Sequence, residues 1–260
     1  MSDGTQAISG ASAYEMVTSV REAIAGVAGP LLVGLYLFGS LATGDFEEGV
    51  SDIDLIAVLS DPPNDELVAR LDQMHADLAA AFNAWAGRIE VIYISAHGLA
   101  NCRTDATTIA VISPGEPLHV VEASRDWNLN WYPAREESVA LAGPPIQTLI
   151  PPIPFAEFAE QVRASLMAFP GRIEDDAHPG SQAYAILTMC RGLFTIRFDR
   201  RPSKREAAAW AQREFPQWAD LIARSLAWRQ RQWEPGDQNG TTTVSETRRF
   251  VAEMAQLARE

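Results

Sequence analysis

Two apolar runs separated by a polar loop, between Tyr36 and Leu59, constrain the fold of this chain most. The first run ends in Gly39-Ser40, and the second opens with Ser51-Asp52-Ile53-Asp54. Successive strand residues point to opposite faces of a sheet, so a strand starting here places both carboxylates on one face. The other face would carry apolar side chains: Ile53, Leu55, Ala57 and Leu59. The stretch therefore predicts a strand, a turn and a second strand with paired acids.

The paired acids are suited to binding a divalent metal ion. Mg²⁺ takes one or two carboxylates in proteins and fills its other positions with water and substrate phosphates. Two such ions can stabilise the attacking and the leaving oxygen of an in-line displacement. Asp52 and Asp54 are therefore the predicted metal ligands. The alternative is that the two acids only solvate the end of a strand.

The Gly39-Ser40 turn is the predicted phosphate-binding element. Glycine allows the backbone to approach a ligand closely. Ser40 is expected to cap a short helical segment, Leu41-Ala42-Thr43, whose free N–H groups would face an anion. A triphosphate would then be held between this turn and the metal.

A third acid, Glu90, lies in the apolar run from Arg88 to Ser95, which predicts another strand. A charged residue in such a run is seldom buried without a partner. Beside the paired acids, Glu90 would complete the metal ligands or take the proton from an attacking hydroxyl. The alternative is a position on an edge strand that faces solvent.

Hydrophobic periodicity predicts further elements in the first half of the chain. Helical spacing covers Ser12 to Ala28 and Glu66 to Ala86, and a central strand covers Leu31 to Phe38. The aromatic cluster between Asp126 and Tyr132 is assigned to core or interdomain packing rather than to stacking on a sugar or a base.

Proline marks the predicted domain boundary, in Gly143-Pro144-Pro145 and Ile150-Pro151-Pro152-Ile153-Pro154. Such a segment continues neither a helix nor a central strand. We therefore predict an α/β (α+β) domain with a mixed sheet over residues 1–150 and an all-α helical bundle over residues 151–260. The predicted helices of the second domain are Phe155 to Ala168, Ser181 to Phe198, Ser203 to Glu214, Trp218 to Trp233 and Val244 to Arg259.

Lys204 is the only lysine in the chain. It lies in the first turn of a predicted helix, where Ser203 and Glu206 have the spacing of a capping box. A cation at that end opposes the helix dipole, which indicates an anionic ligand such as a triphosphate bridged across the two domains. The alternative is a solvated surface lysine.

The net charge of −13 argues against sequence-independent binding of nucleic acid, which needs clustered Lys and Arg. It favours a small cationic substrate, or serves solubility alone. Cys102 and Cys190 lie far apart, which indicates a reducing compartment and buried thiols. The start of the chain lacks a signal-peptide pattern, and glycines interrupt the charge-free stretch from Ala23 to Gly44. We expect a cytoplasmic monomer without a membrane partner.

The combination of Gly39-Ser40, a gap of about ten residues and Asp52-Ile53-Asp54, with a strand on each side, resembles the nucleotidyltransferase superfamily that includes DNA polymerase β. Three further segments resemble the streptomycin/spectinomycin adenylyltransferases of that superfamily. They are the segments Ser138 to Pro144, Ile186 to Arg191 and Ser203 to Ala211. The resemblance therefore extends over nearly the full length.

The resemblance implies a reaction and a set of residues. ATP and Mg²⁺ would bind at Ser40, Ser51, Asp52, Asp54 and Lys204. Glu90 would be the general base, a metal ligand or both. AMP would pass to a hydroxyl of an aminoglycoside or aminocyclitol such as spectinomycin or streptomycin, with loss of pyrophosphate. An acidic cleft between the domains would hold the cationic acceptor.

Two alternatives stay open at this point. The chain could be a nucleotidyltransferase-like sensor or antitoxin-type partner that binds nucleotide without transferring it, or an enzyme that transfers AMP to a protein hydroxyl. The acceptor is open as well, because Ser181 and Ala177 stand where the adenylyltransferases are expected to have acids. Spectinomycin, a different aminocyclitol and an unrelated metabolite are all candidates.

Overall fold

The computed structural model describes residues 12–230 and 241–260, and it describes residues 241 and 242 without their side chains. The chain divides into two compact units, Met1–Ile153 and Pro154–Glu260. We call them the sheet unit and the helical unit.

Within the described residues, the sheet unit contains one sheet of six strands. The strands are β1 Leu32–Phe38, β2 Ile53–Leu59, β3 Ile89–Ser95, β4 Thr107–Ile112, β5 His119–Ala123 and β6 Val139–Ala142. Their order in the sheet is β5-β4-β3-β2-β1-β6. The pair β2–β3 is parallel and the other neighbours are antiparallel, so the predicted mixed sheet is confirmed.

In the described part of the sheet unit, one α-helix precedes the first strand, and four lie between the strands. They are α1 Ala13–Ala28, α2 Gly39–Thr43, α3 Asp65–Ala81, α4 Ala96–Ala100 and α5 Asn128–Glu137. The first begins at a capping box: the Ser12 hydroxyl accepts a hydrogen bond from the Glu15 N–H (3.3 Å), and the Glu15 carboxylate accepts one from the Ser12 N–H (2.7 Å). The predicted first helix is confirmed at both ends.

Each face of the sheet packs against its own hydrophobic cluster. One cluster joins apolar residues of α1 and α3 to alternate strand residues, and it contains the four apolar residues predicted to share a face of β2: Ile53, Leu55, Ala57 and Leu59. The other cluster contains Ile56 and Val58 together with residues of α5. Because side chains alternate along a strand, Asp54 belongs to the face of Ile56 and Val58.

The aromatic residues of α5 pack into this second cluster. Trp131 is 1% exposed, and its ring stacks on Trp127 with 5.9 Å between the centroids. The predicted core packing of this cluster, rather than stacking on a ligand, is therefore confirmed for Trp131.

The strand β6 has no clear signal in the sequence. Two of its four residues are alanine, which has low strand propensity, and Val139 is exposed. Pairing with β1 nevertheless fixes it, and the Tyr36 hydroxyl donates a hydrogen bond to the Pro144 carbonyl (2.7 Å). This strand brings the chain back to β1, which therefore lies inside the sheet, as predicted.

The predicted helix over Glu66 to Ala86 was too long. The helix α3 ends at Ala81, because Phe82 leaves the helical region with φ −122° and ψ 68°. A short 3₁₀ turn, Asn83–Trp85, then buries the Trp85 ring against the sheet. The chain thereby enters β3 from a fixed turn rather than from a helix.

A buried polar pair joins α3 to β3. His75 Nε2 and the Tyr93 hydroxyl lie 2.8 Å apart, and the two residues are 5% and 0% exposed. Burial lowers the pKa of His75 to about 4, although the nearby Asp72 raises it. The imidazole is therefore neutral in the folded protein at neutral pH.

This pKa predicts an acid-dependent loss of stability. When the pH falls below 6.5, the unfolded chain binds a proton on His75, whereas the folded chain does so only near pH 4. The free energy of unfolding should therefore decrease by up to roughly 3 kcal/mol over this window because of His75. His75→Gln keeps a partner for Tyr93 without titrating. Urea unfolding of both proteins at pH 7 and pH 4.5 should show the larger loss in the wild type, and parallel losses would contradict a neutral buried imidazole.

The helical unit consists of helices and turns in the described residues. The helices are α6 Phe155–Ala168, α7 Pro179–Phe198, α8 Lys204–Glu214, α9 Ala219–Arg229 and α10 Thr241–Leu257. The predicted all-α fold is confirmed, although the predicted end of the fourth helix, at Trp233, lies outside the described residues. No helix in the described ranges combines the length and hydropathy of a membrane span.

Candidate active site

Asp54 and Glu90 lie side by side on the adjacent parallel strands β2 and β3. They are direct register partners, and both are half-buried. Neighbouring strands lie about 4.8 Å apart, and register partners point to the same face. The two carboxylates therefore project together near the start of both strands. Since β3 lies between β2 and β4, the edge-strand alternative for Glu90 is wrong.

The backbone of Gly39 lies directly against the Asp54 carboxylate. Phe38, the last residue of β1, is the register partner of Asp54, and the chain then turns at Gly39 with φ +72°. A Cβ atom on residue 39 would lie 1.9 Å from Asp54 Oδ2. A side chain here would displace the carboxylate, so this position requires glycine for its space as well as for its backbone conformation.

Substitution of Gly39 therefore has a measurable cost, and Gly44 provides a matched control. Both glycines have positive φ, +72° and +78°, but a Cβ at Gly44 would have nothing within 4 Å. Each alanine variant should lose about 1–2 kcal/mol of unfolding free energy through backbone strain. Gly39→Ala should lose about 2 kcal/mol more through the collision with Asp54. Urea unfolding of both variants measures the difference, and equal losses would contradict the close contact.

The predicted capping role of Ser40 is wrong. The helix α2 already begins at Gly39, because the positive φ of this residue turns the chain directly after β1. Ser40 is consequently the second residue of α2, and Phe38 occupies the N-cap without a side-chain hydrogen bond. The carbonyl of Ser40 accepts a hydrogen bond from the Asp45 N–H (2.9 Å), which closes the turn into the following loop.

Ser51 and Asp52 end the loop that follows α2. Ser51 is 3% exposed, and its hydroxyl accepts a hydrogen bond from the Glu47 N–H (3.0 Å). The Ser51 N–H in turn donates to the Glu47 carbonyl (2.8 Å). Asp52 is half-buried and directly precedes the first residue of β2. Two hydrogen bonds between Glu47 and Ser51 therefore fix the end of the loop directly before Asp52.

Arg88 is a neighbour of this loop that sequence reasoning did not identify. Its Nη2 donates a hydrogen bond to the Ser51 carbonyl, and its Cζ lies 4.5 Å from the centroid of the Trp85 ring. Burial lowers the pKa of Arg88, while the negative charges of Asp52 and Glu48 raise it. The sequence feature that could have identified Arg88 is its place two residues before Glu90, at the start of an apolar run.

The donor set fits Mg²⁺ bound together with a phosphate-containing substrate. Asp52, Asp54 and Glu90 offer carboxylate oxygens, the ligands that Mg²⁺ prefers. Among the described residues, no group of three or more His, Cys, Asp or Glu side chains could hold a metal ion by itself. Mg²⁺ commonly uses only one or two carboxylates and takes other ligands from water and phosphates.

Lys204 lies in the helical unit, as the first residue of α8. The Ser203 hydroxyl caps this helix by accepting from the Glu206 N–H (3.0 Å). The Glu206 carboxylate forms an ion pair with Arg200. The position of Lys204 in the first helical turn is therefore confirmed, and its contact with a nucleotide stays a prediction. The structure brings together Gly39, Asp54 and Glu90, with Ser40, Ser51 and Asp52 adjoining them in the sequence.

Comparisons with known proteins match two separate parts of the chain to family models. Residues 24–97 match the family model of the nucleotidyltransferase domain, and residues 148–256 match that of the aminoglycoside adenylyltransferase C-terminal domain. A similar solved structure is a spectinomycin adenyltransferase from Enterococcus faecialis with ATP and spectinomycin. It is 18% identical to this chain, covers 93% of this chain and 100% of its own, and has a TM-score of 0.70. A search of curated proteins found no match.

These matches confirm the resemblance to aminoglycoside adenylyltransferases predicted from the sequence. The first matched range contains Gly39, Asp52, Asp54 and Glu90, and the second contains Lys204. The matches support an enzyme of the nucleotidyltransferase class, as the sequence predicts.

Proposed function

We propose that this chain transfers AMP from ATP to a hydroxyl of an aminoglycoside or aminocyclitol, such as spectinomycin or streptomycin, and releases pyrophosphate. The observation that carries the proposal is the register pair Asp54 and Glu90 beside the bare backbone of Gly39. Carboxylates on adjacent strands, next to a glycine turn whose backbone lies against one of them, suit phosphoryl chemistry better than a purely structural role. The two family matches support the same reaction class.

The residues of the sheet unit have two roles, metal binding and phosphate binding. Asp52 and Asp54 hold Mg²⁺, and Gly39, Ser40 and Ser51 contact the ATP phosphates. Bound there, the metal neutralises charge on the phosphates and on the leaving pyrophosphate. Lys204 of the helical unit adds a positive charge for the phosphates.

Glu90 acts as the general base. The oxygen of the acceptor hydroxyl attacks the α-phosphorus of ATP and forms the new P–O bond. The bond from the α-phosphorus to the bridging oxygen breaks, and its electron pair leaves with pyrophosphate. The hydroxyl proton passes to a Glu90 carboxylate oxygen. Glu90 and Asp54 are register partners on one face of the sheet, which supports a base and a metal ligand acting on the same reacting atoms.

The acceptor is a small cation rather than a nucleic acid. A net charge of −13 attracts cations and repels polyanions. The similar solved structure was obtained with spectinomycin and ATP, which supports an acceptor and a co-substrate of these kinds. The protein acts as a cytoplasmic monomer in this proposal.

The test is pyrophosphate release by the purified protein with ATP and Mg²⁺ across a panel of aminoglycosides and aminocyclitols. One acceptor should produce release, Asp52→Asn should abolish it, and Asp105→Asn, which alters an exposed acid, should leave it unchanged. If protein that still binds MgATP releases no pyrophosphate with any acceptor of the panel, the proposed transfer reaction is wrong. That result would favour a nucleotide sensor.

A further inference from the structure

We propose that Arg88 is a positioning residue that fixes the backbone on both sides of Asp52 and thereby sets the affinity for Mg²⁺. The inference rests on the proposed function, since it concerns the same metal site. It assigns a role to a side chain outside the set of nucleotide-binding, metal-binding and proton-accepting residues.

Both peptide groups that flank Asp52 are bound by Arg88. The guanidinium Nη2 donates to the Ser51 carbonyl (2.5 Å), which belongs to the peptide group before Asp52. The carbonyl of Arg88 accepts a hydrogen bond from the Ile53 N–H (2.9 Å), which belongs to the peptide group after Asp52. Rotation about the two soft backbone bonds of Asp52 would break one of these contacts. The direction of the Asp52 carboxylate therefore depends on Arg88.

The regular sheet provides only the second of these contacts, because the bond from the Ile53 N–H to the Arg88 carbonyl extends the parallel ladder and does not depend on the side chain at position 88. The strand β2 begins at Ile53 and β3 begins at Ile89, so Asp52 and Arg88 both lie just before the ladder. Any freedom left in the backbone beside Asp52 would have to be removed when the metal binds, at a cost in conformational entropy. The side-chain contact from Arg88 to Ser51 removes this cost before the metal binds.

An aromatic contact holds the guanidinium in place. Its Cζ lies 4.5 Å from the Trp85 ring centroid, and Trp85 is 4% exposed. The same ring stacks against Phe46 of the loop that leads to Asp52, with 6.4 Å between centroids and 26° between planes. We call this group of contacting residues the Arg88 clamp: Phe46, Ser51, Trp85 and Arg88. The clamp joins the loop before Asp52 to the start of β3, and Arg88 lies two residues before Glu90.

The clamp requires a guanidinium and not only a positive charge. A planar guanidinium stacks on an aromatic ring and donates hydrogen bonds from its edge, whereas an ammonium does neither in the same way. Arg88→Lys keeps the charge near Asp52 but loses the stacked, directed donor. This variant separates positioning from simple charge neutralisation.

Calorimetric titration with ATP, in Mg²⁺ and in EDTA, tests the inference without turnover. Arg88→Lys should raise the dissociation constant of MgATP roughly tenfold, in the range found when the supports of metal ligands are removed. Binding of ATP in EDTA should be unchanged, and excess Mg²⁺ should restore binding to Arg88→Lys but not to Asp52→Asn. Trp85→Leu should reproduce the Arg88→Lys result, which provides a second test if one variant unfolds.

Arg70→Lys is the matched control, because the Arg70 side chain also donates to a backbone carbonyl, that of Val27, away from the acids. It should bind MgATP like the wild type. Unchanged MgATP binding in folded Arg88→Lys and Trp85→Leu, with weakened binding in Asp52→Asn, would overturn the inference and leave the proposed function intact. Failure of the wild type to bind MgATP would overturn both.

Discussion

Replacing Asp54 with Asn is expected to lower turnover by about 10³ and to weaken MgATP binding, which corresponds to about 4 kcal/mol of lost transition-state stabilisation. The amide has nearly the same shape as the carboxylate but lacks its charge. Because Asp54 touches the backbone of Gly39 and pairs in register with Glu90, no other acid of the sheet occupies an equivalent position in the described residues. Steady-state pyrophosphate release and calorimetry with MgATP measure the two effects.

The control for this variant is the same change at Asp105, an exposed residue in the turn before β4. Asp105→Asn should match the wild type in turnover and in MgATP binding. Wild-type MgATP affinity in folded Asp54→Asn would remove Asp54 from the metal ligands.

Replacing Glu90 with Gln is expected to lower kcat by about 10²–10⁴, the usual contribution of a general base, while MgATP binding stays at the wild-type level. The neutral amide keeps the hydrogen-bonding shape of the side chain but cannot accept the proton of the acceptor hydroxyl. The contrast with Asp54→Asn, which should lose affinity as well, separates a base from a metal ligand.

Glu122→Gln, on the exposed side of β5, is the control for the Glu90 variant. It should leave both quantities unchanged. If Glu90→Gln weakens MgATP binding as much as Asp54→Asn does, Glu90 is a metal ligand. Wild-type turnover in Glu90→Gln would exclude it as the base.

The sequence predicts the centre of this site because two simple rules coincide there. Alternation along β2 assigns Asp54 to the face opposite Leu55, and the structure confirms that division. The single acid in the apolar run of β3 identifies Glu90, which the parallel register then places beside Asp54. Both rules use only the local pattern of each strand, whereas the register between the strands is a tertiary contact.

The parts that the sequence does not predict depend on tertiary contacts. The start of α2 at Gly39, rather than after Ser40, follows from a positive φ imposed by the turn against Asp54. The strand β6 depends on pairing with β1, which overrides the low strand propensity of its alanines. The role proposed for Arg88 depends on its contacts with Trp85 and the Ser51 carbonyl, and periodicity contains no information on either contact.

The arrangement of β1, β2 and β3 also determines the order in which the site can assemble during folding. The antiparallel neighbours β1 and β2 are joined by the five-residue helix α2 and a loop, whereas the parallel pair β2–β3 needs the longer crossover through α3. Local pairings close before long-range ones, because a longer loop costs more entropy. A chain growing during synthesis can therefore join Gly39 to Asp54 early, but it gains Glu90 only after α3 and β3 have followed. The proposed enzyme becomes competent for chemistry only when its sole parallel strand pair in the described residues has closed.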